Sequence, residues 1–426
     1  MSASGLRVGT EVVPESTPMR KRGLGLTRLQ WVYVLLGGVF VVSLLRVVTG
    51  ANDIDSSGLL IAAFGLAVPI ALAGLGGLWS ERAGVVNIGL EGMMILGTWG
   101  AGFLGYHLGP WWGLVGAVIG GVVGGVVHAV ATVTFGVDHI VSGVALNIVA
   151  LGFAKYLSVR FFAPLPGGGP TQSPPLPELP TVTIPGLSDA LGTLEQQRIF
   201  FVSDLAGILR AFCTNVSVVT ILAVLLFVLT WWALWRTAFG LRLRSVGESP
   251  VAAESLGVNV LRYKFTAVLI SGGLAGLGGG FLALVAANVF RDGQTGGRGY
   301  IGLAAMIFGN WRPGGLLAGS ALFGYTDAAQ LRGGGTTVHA FLLLLAVLLI
   351  AIGVWQIVRK GRRVQGILAI VVGALVGTWY ALTDIVPPEL SGTTPYVTTL
   401  LVLAFASQRL RMPAADGQVY RKGEGH

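Results

Sequence analysis

Hydrophobic residues run in long blocks along this chain, without the period of two or 3.6 that marks half-buried strands and helices. Runs of about 20 apolar residues, the length that crosses a hydrocarbon layer of about 30 Å, fall at roughly 30–49, 58–79, 88–107, 111–135, 138–158, 212–235, 265–289, 314–331, 336–358, 364–386 and 393–408, with a half-length run at 300–310. The pattern predicts an all-α integral membrane protein, a polytopic helical bundle of about 10–12 transmembrane segments with broken or re-entrant helices.

Two stretches interrupt the blocks. In "SERAGVVNIGLEGMMILG" (80–97) polar residues stand where a membrane helix should continue. A charge at the helix centre costs about 2.5–3.5 kcal/mol on insertion scales, so Glu91 is expected to face the protein interior or a wet cavity. Gly84, Gly89 and Gly92 loosen the helix, and Asn87 lies one turn before Glu91 on the same face. Glu81 and Arg82 read as interfacial charges at the helix end. The second stretch, "GYIGLAAMIFGNWRPGG" (299–315), offers about ten apolar residues and then a Pro-Gly turn, half a span as in a re-entrant helix. A polar, glycine-rich loop, "RDGQTGGRG" (291–299), precedes it. "IGLEGMMILG" (88–97) and "IGLAAMIFG" (301–309) share a skeleton that fits either an inverted repeat or coincidence.

The segments between spans carry their own punctuation. "PLPGGGPTQSPPLPELPTVTIPG" (164–186) holds 8 of the 18 prolines, which excludes a regular helix; it serves either as a spacer or as a surface for an outer partner. In the loop 236–264, "SPVAAESLG" supplies Ser249 as N-cap, Pro250 at the first helical position and Gly257 at the exit, predicting a two-turn helix at 250–256. Its small face of Ala252, Ala253 and Leu256 suits insertion into a groove on another protein.

Charge orients the bundle. Placing the 28 Lys and Arg residues on alternating sides leaves only Arg46, Lys155, Arg160, Arg198, Arg210, Arg291, Arg298 and Arg332 outside, which puts both termini in the cytoplasm. The net charge of +9 is thereby explained by topology, with no nucleic acid partner required. The first apolar run is long for a signal peptide and is expected to be retained.

Composition agrees, with 53% hydrophobic and 11% charged residues and mean hydropathy +0.76 against about 25% charged in soluble domains. The lone Cys213 and five scattered histidines form neither a disulfide framework nor a metal site. No Walker A sequence, nucleophile elbow or zincin motif occurs, so the chain is not expected to hydrolyse ATP or act as an enzyme. "GLGGGF" (276–281) lies in an apolar run with no strand before it and reads as close helix packing. A proton-coupled carrier would draw on Glu91, Asp327 and Asp384, a sparse set.

Four stretches, "ERAGVVNIGLEGMMILGTWGA" (81–101), "GLRLRSVGESPVAAESLGVNVLRYK" (240–264), "GRGYIGLAAMIFGNWRPGG" (297–315) and "PYVTTLLVLAFASQRLRMPAADGQVYRKGE" (395–424), together resemble the permease subunits of ABC importers. They are most similar to the nucleoside or simple-sugar group linked to basic-membrane-protein lipoproteins. The resemblance implies a type II-like importer permease in a bacterial plasma membrane, translocating nucleosides, or alternatively ribose or another simple sugar, by alternating access. It implies a second homologous permease, a heterodimer partner, with a cytoplasmic ABC ATPase that uses ATP and Mg, an extracytoplasmic substrate-binding lipoprotein and surrounding lipid; this chain itself needs no cofactor. By the same resemblance Glu248, Pro250, Ala253 and Gly257 belong to the helix that couples to the ATPase. Trp79, Asn87, Glu91, Asn147, Phe290 and Gln294 are candidates for the substrate path, where a base wants an aromatic or apolar surface and a ribose wants amides or hydroxyls.

The expected layout is a cytoplasmic tail (1–28), a permease core (29–335) with a coupling loop (236–264) and an outer loop (160–210), a two-span insertion (336–388) departing from the family pattern, a last helix (389–408) and a cytoplasmic tail (409–426).

Overall fold

The computed structural model describes residues 28–394, 397–400 and 410–423, and most of these are helical. The expected last span lies largely outside the described residues, as does the N-terminal tail.

Helices α1 (Arg28–Thr49) and α2 (Ser57–Arg82) lead into α3 (Leu90–Leu108), α4 (Pro110–Ala129, prolonged as a π-helix to Thr134) and α5 (His139–Phe161). A short antiparallel ribbon, β1 (Thr181–Val182) with β2 (Val216–Ser217), brackets two small helices, α6 (Leu187–Gln196) and α7 (Val202–Ala211). The chain continues through α8 (Val218–Arg236), α9 (Ala238–Glu248), α10 (Pro250–Ser255), α11 (Val260–Phe281, prolonged to Ala286), α12 (Arg298–Phe308), α13 (Pro313–Ala328), α14 (Gly334–Lys360) and α15 (Arg363–Leu382). Among the described residues seven helical runs are long and apolar enough to cross a membrane, and one of them, Pro313–Lys360, is divided where Gly334 breaks helical geometry.

Helix starts follow local chemistry. Ser56, Asp138, Ser217, Thr237 and Asn259 each accept a backbone N–H of the first turn of α2, α5, α8, α9 and α11, satisfying donors that have no partner inside the helix. Such a cap starts α8 at Val218, later than the apolar run that begins at 212. Helix α9 and the pair α6–α7 were not anticipated, because "AFGLRLRSVGE" is too polar to read as a span and α6 and α7 are short and charged.

The centre of the bundle is made by α2, α3, α4 and α11, held at backbone contact by small residues. A Cβ on Gly121 of α4 would lie 2.1 Å from the Gly272 carbonyl oxygen and 2.6 Å from the Gly276 Cα, both on α11. The "GLGGGF" stretch is thus packed against α4 as its apolar setting indicated.

The proline-rich segment is not a free spacer. Ser173 N–H donates to the Phe290 carbonyl (3.0 Å), Leu176 N–H to Asn288 (2.8 Å) and Asp292 N–H to Thr171 (2.7 Å), so it braces the chain entering α12. At the same end of the bundle Arg46 pairs with Asp204 (3.0 Å) and faces Asp55 (3.6 Å), while Glu195 pairs with Arg210 (2.9 Å) and accepts the Ser57 N–H (2.8 Å), fastening α6–α7 to α1 and α2 around a cavity of about 400 Å³. Burial, with the adjoining Asp204, pushes Asp55 up to about 7 against the pull of Arg46.

Helices α14 and α15 form a hairpin at the side of the bundle, in backbone contact where a Cβ on Gly353 would lie 2.6 Å from the Gly366 carbonyl oxygen. Beyond this seam α15 presents exposed apolar residues such as Val364, Leu368 and Leu375.

Candidate functional site

The interruption at 83–89 is a real break in the helix path. Helix α2 ends at Arg82, the chain rises without helical geometry, and α3 begins at Leu90. Packed against α2 and α3, α12 has only 11 residues, about 16 Å, half the thickness of the hydrocarbon layer. It starts within the bundle and ends at a turn, 309–312, whose Trp311 indole donates to Glu81 (2.6 Å) and whose Trp311 carbonyl accepts Arg82 (2.6 Å). Glu81 and Arg82 therefore fasten the end of α2 to that turn.

The first turns of α3 and α12 meet through one carboxylate. Glu91, 7% exposed, accepts the Thr295 hydroxyl (2.6 Å), the Gly297 N–H (2.9 Å) and the Gly299 N–H (2.7 Å), although Thr295 is 204 residues away in sequence. Those amides are the open donors of α12, so an anion placed there meets both hydrogen bonds and the positive end of the helix dipole. Glu91 also sits in the first turn of α3, and its charge is shared by two helix N-termini. The glycines permit this approach. Gly297 has φ +80°, and a Cβ on Gly299 would stand 2.6 Å from the Glu91 backbone.

Asn147 of α5 completes the junction. Its amide oxygen accepts Gly92 N–H (2.7 Å) and its amide nitrogen donates to the Ile88 carbonyl (3.0 Å) and to the Tyr300 hydroxyl (2.8 Å). Asn87 is fully buried and donates to Ser271 of α11 (2.8 Å), which anchors the break from the opposite side. Tyr300 remains 46% exposed, so the junction opens to the surface of the chain beside α5, whose Val144 and Ile148 are also exposed.

Of the residues singled out in the sequence, the structure brings together Asn87, Glu91 and Asn147. Gln294 lies just before the junction, accepting the Arg291 N–H. Phe290 is buried against Phe162 and Gly102, bracing the descending chain. Trp79 is buried between α2 and α8, its indole donating to Thr230 (3.0 Å), in a cluster with Phe227 and Met306 rather than at the junction. Thr295, Gly297, Gly299, Tyr300 and Ser271 were not singled out. The sequence did hold a signal for the first three, since a half-helix starting inside a membrane needs an acceptor for its open amides. The shared "IGL" skeleton does not occupy equivalent places, because Ile88 precedes α3 whereas Ile301 lies within α12.

A second feature lies at the end that carries Arg242, Arg244 and Arg262. Helix α10 begins with Pro250, and the chain leaves it through Gly257 at φ +80°. Glu248, at the end of α9, accepts the Ala414 N–H (3.2 Å). The expected small face is split. Ala253 is 2% exposed, packed with Val246 and Val260, whereas Ala252, Val251 and Leu256 point outward, Leu256 being 84% exposed. With only six residues in α10, one side must bury against the chain's own core, and that side contains Ala253.

Residues 59–353 match the protein family described as "Branched-chain amino acid transport system / permease component". The chain is 39% identical over 277 residues to the guanosine ABC transporter permease protein NupQ of Bacillus subtilis, covering 63% of this chain and 80% of that protein. It is 32% identical to the nucleoside ABC transporter permease protein NupC of Lactococcus lactis, covering 84% and 94% of the two chains. It is also 31% identical to TsgC13 of Haloferax volcanii, a permease whose name assigns it provisionally to glucose, with 86% and 98% covered. No solved structure matches the chain.

Proposed function

This chain belongs to the branched-chain amino acid transport system permease component family, and on that footing we propose that it is the membrane subunit of an ATP-driven importer for nucleosides. The observation that carries the reading is the junction of α3 and α12 at Glu91, since helices that start inside the bundle after a break place polar groups and helix N-termini where a substrate crosses. The partly exposed Tyr300 ring offers a face for a base, and its hydroxyl, held by the Asn147 amide, offers a polar contact for a ribose. NupQ and NupC, named for nucleosides, favour that substrate class over a sugar.

Because the junction opens on a surface this chain leaves uncovered, a second permease closes the path, and a non-identical homologue fits that place. The arginine-rich end with α9–α10 faces the cytoplasm of a bacterial plasma membrane, with both termini on that side. Cytoplasmic ATPase subunits, using ATP and Mg, dock at α10. A substrate-binding lipoprotein presents the nucleoside at the opposite end. Alternating access follows when α3 and α12 shift about their shared anchor.

Docking at α10 has a direct test. Leu256→Asp changes a side chain that is 84% exposed and supports nothing in this chain, so the permease is expected to fold normally. Losing a central apolar anchor costs about 2 kcal/mol or more, roughly thirtyfold in affinity, and co-purification of the ATPase subunit should fail. Retention of the ATPase at the wild-type level would place docking elsewhere. Ala253→Arg is a poor probe, because it breaks the cluster that holds α10 in place.

A further inference from the structure

The C-terminal tail is absorbed into the bundle's arginine-rich end as a strap, and none of the contacts that make it one belong to the junction or to the exposed face of α10. Arg411 N–H donates to the Asn310 side chain (2.7 Å) in the turn between α12 and α13. Ala414 N–H donates to Glu248 (3.2 Å) and Ala415 N–H to the Gly247 carbonyl (2.9 Å), both at the end of α9. Tyr420 donates its hydroxyl to Glu254 of α10 and packs against the cluster of Val246, Ala253 and Val260.

The same strap reaches the break. A Cβ on Gly84 would lie 3.1 Å from the Ala415 carbonyl oxygen, and one on Gly417 would lie 3.4 Å from Val86. Lys264, at the base of α11, donates to the Gly84 carbonyl (3.1 Å) and to the Gln418 carbonyl (3.4 Å), joining break, strap and helix in one contact. Asp416 is buried beside Glu81, and this burial pushes its carboxyl up to about 7 against the pull of the Lys264 ammonium. Ordering a terminal segment is entropically costly, and a tail serving only as an end would gain little from contacts with four separate elements.

We propose that residues 410–423 are the element that transmits displacement of α10 to the 83–89 break and the 309–312 turn, with Tyr420 as the positioning residue at the α10 end. This rests on the reading that an ATPase docks at α10. Movement of α10 draws on Tyr420 and Glu248, the strap carries it to Gly84 and Asn310, and those two points are the inner ends of the segments that meet at Glu91. The transmission runs through a continuous set of contacts, and it predicts effects at a distance that simple packing of α10 does not.

The test uses the whole transporter complex with Tyr420→Ala, Tyr420→Phe and a chain ending after Met412. Two quantities are read: hydrogen exchange at 83–89 and 309–312, and substrate taken up per ATP hydrolysed. Coupling free energies of ordinary size correspond to about 5–150-fold, so Tyr420→Ala and the truncation are expected to speed exchange in both segments and to lower uptake per ATP by at least about fivefold while ATP hydrolysis continues. Tyr420→Phe, which keeps the ring and loses only the hydroxyl, is expected to fall between wild type and alanine. Unchanged exchange at 83–89 in Tyr420→Ala and Tyr420→Phe overturns the strap as transmitter even if transport suffers. Absence of any ATPase from the wild-type complex overturns the docking reading instead, and exchange still decides the strap.

Discussion

Glu91→Ala is expected to leave the protein in the membrane and to reduce transport at least about a hundredfold. The carboxylate accepts three hydrogen bonds from the start of α12, and bonds to a charged group contribute about 1.5–3 kcal/mol each. Losing the equivalent of two, about 3 kcal/mol, shifts a conformational equilibrium more than a hundredfold. The damage is directional, because the amides of half-buried Gly297 and buried Gly299 lose their acceptor while the N-termini of α3 and α12 lose the anion between them. Glu91→Gln keeps one acceptor oxygen and should retain a measurable fraction of uptake. The check is initial uptake rate per mole of protein in the membrane; wild-type rates in Glu91→Ala would remove this junction from the transport path.

Gly121→Val should have the largest effect on folding. A Cβ at that position already lies 2.1 Å from a backbone oxygen of α11, and a backbone cannot swing aside as a flexible side chain does. Overpacking a core by a methylene or two costs about 1–3 kcal/mol, and the upper end or beyond is expected where two helix backbones must separate. Gly152→Val is the control, since nothing lies within 4 Å of its Cβ position on α5. Thermal unfolding in detergent should show a marked loss of stability for Gly121→Val and little change for Gly152→Val. Equal behaviour of the two would mean that the α4–α11 contact is not a determinant of stability.

What the sequence showed and what it hid divide along a physical line. Spans of apolar residues, the half-length of α12 and the small helix at 250–255 were legible because each depends on residues adjacent in the chain: length against bilayer thickness, Pro at a helix start, Gly at its exit. The partner of Glu91 was not legible, since Thr295 and the amides at 297 and 299 arrive from 204 or more residues away. Nor was the inward turn of Ala253, because a six-residue helix has no periodicity long enough to reveal which side is covered. The setting of Trp79 was not legible either: an aromatic residue suggested a surface for a base, and its indole donates to Thr230 in the core. The proline-rich segment offered two readings at the level of sequence, and its backbone bonds to 288–292 give it a third role as a brace.

The central claim, nucleoside import powered by a separate ATPase, is tested most directly by uptake into proteoliposomes holding the full complex, with ATP on one side and the binding lipoprotein and labelled guanosine, uridine, ribose or glucose on the other. Accumulation of a nucleoside that stops when ATP is withheld is the expected result. Nucleoside accumulation that continues without ATP and collapses with a protonophore, or accumulation of ribose or glucose with neither nucleoside transported, would contradict it.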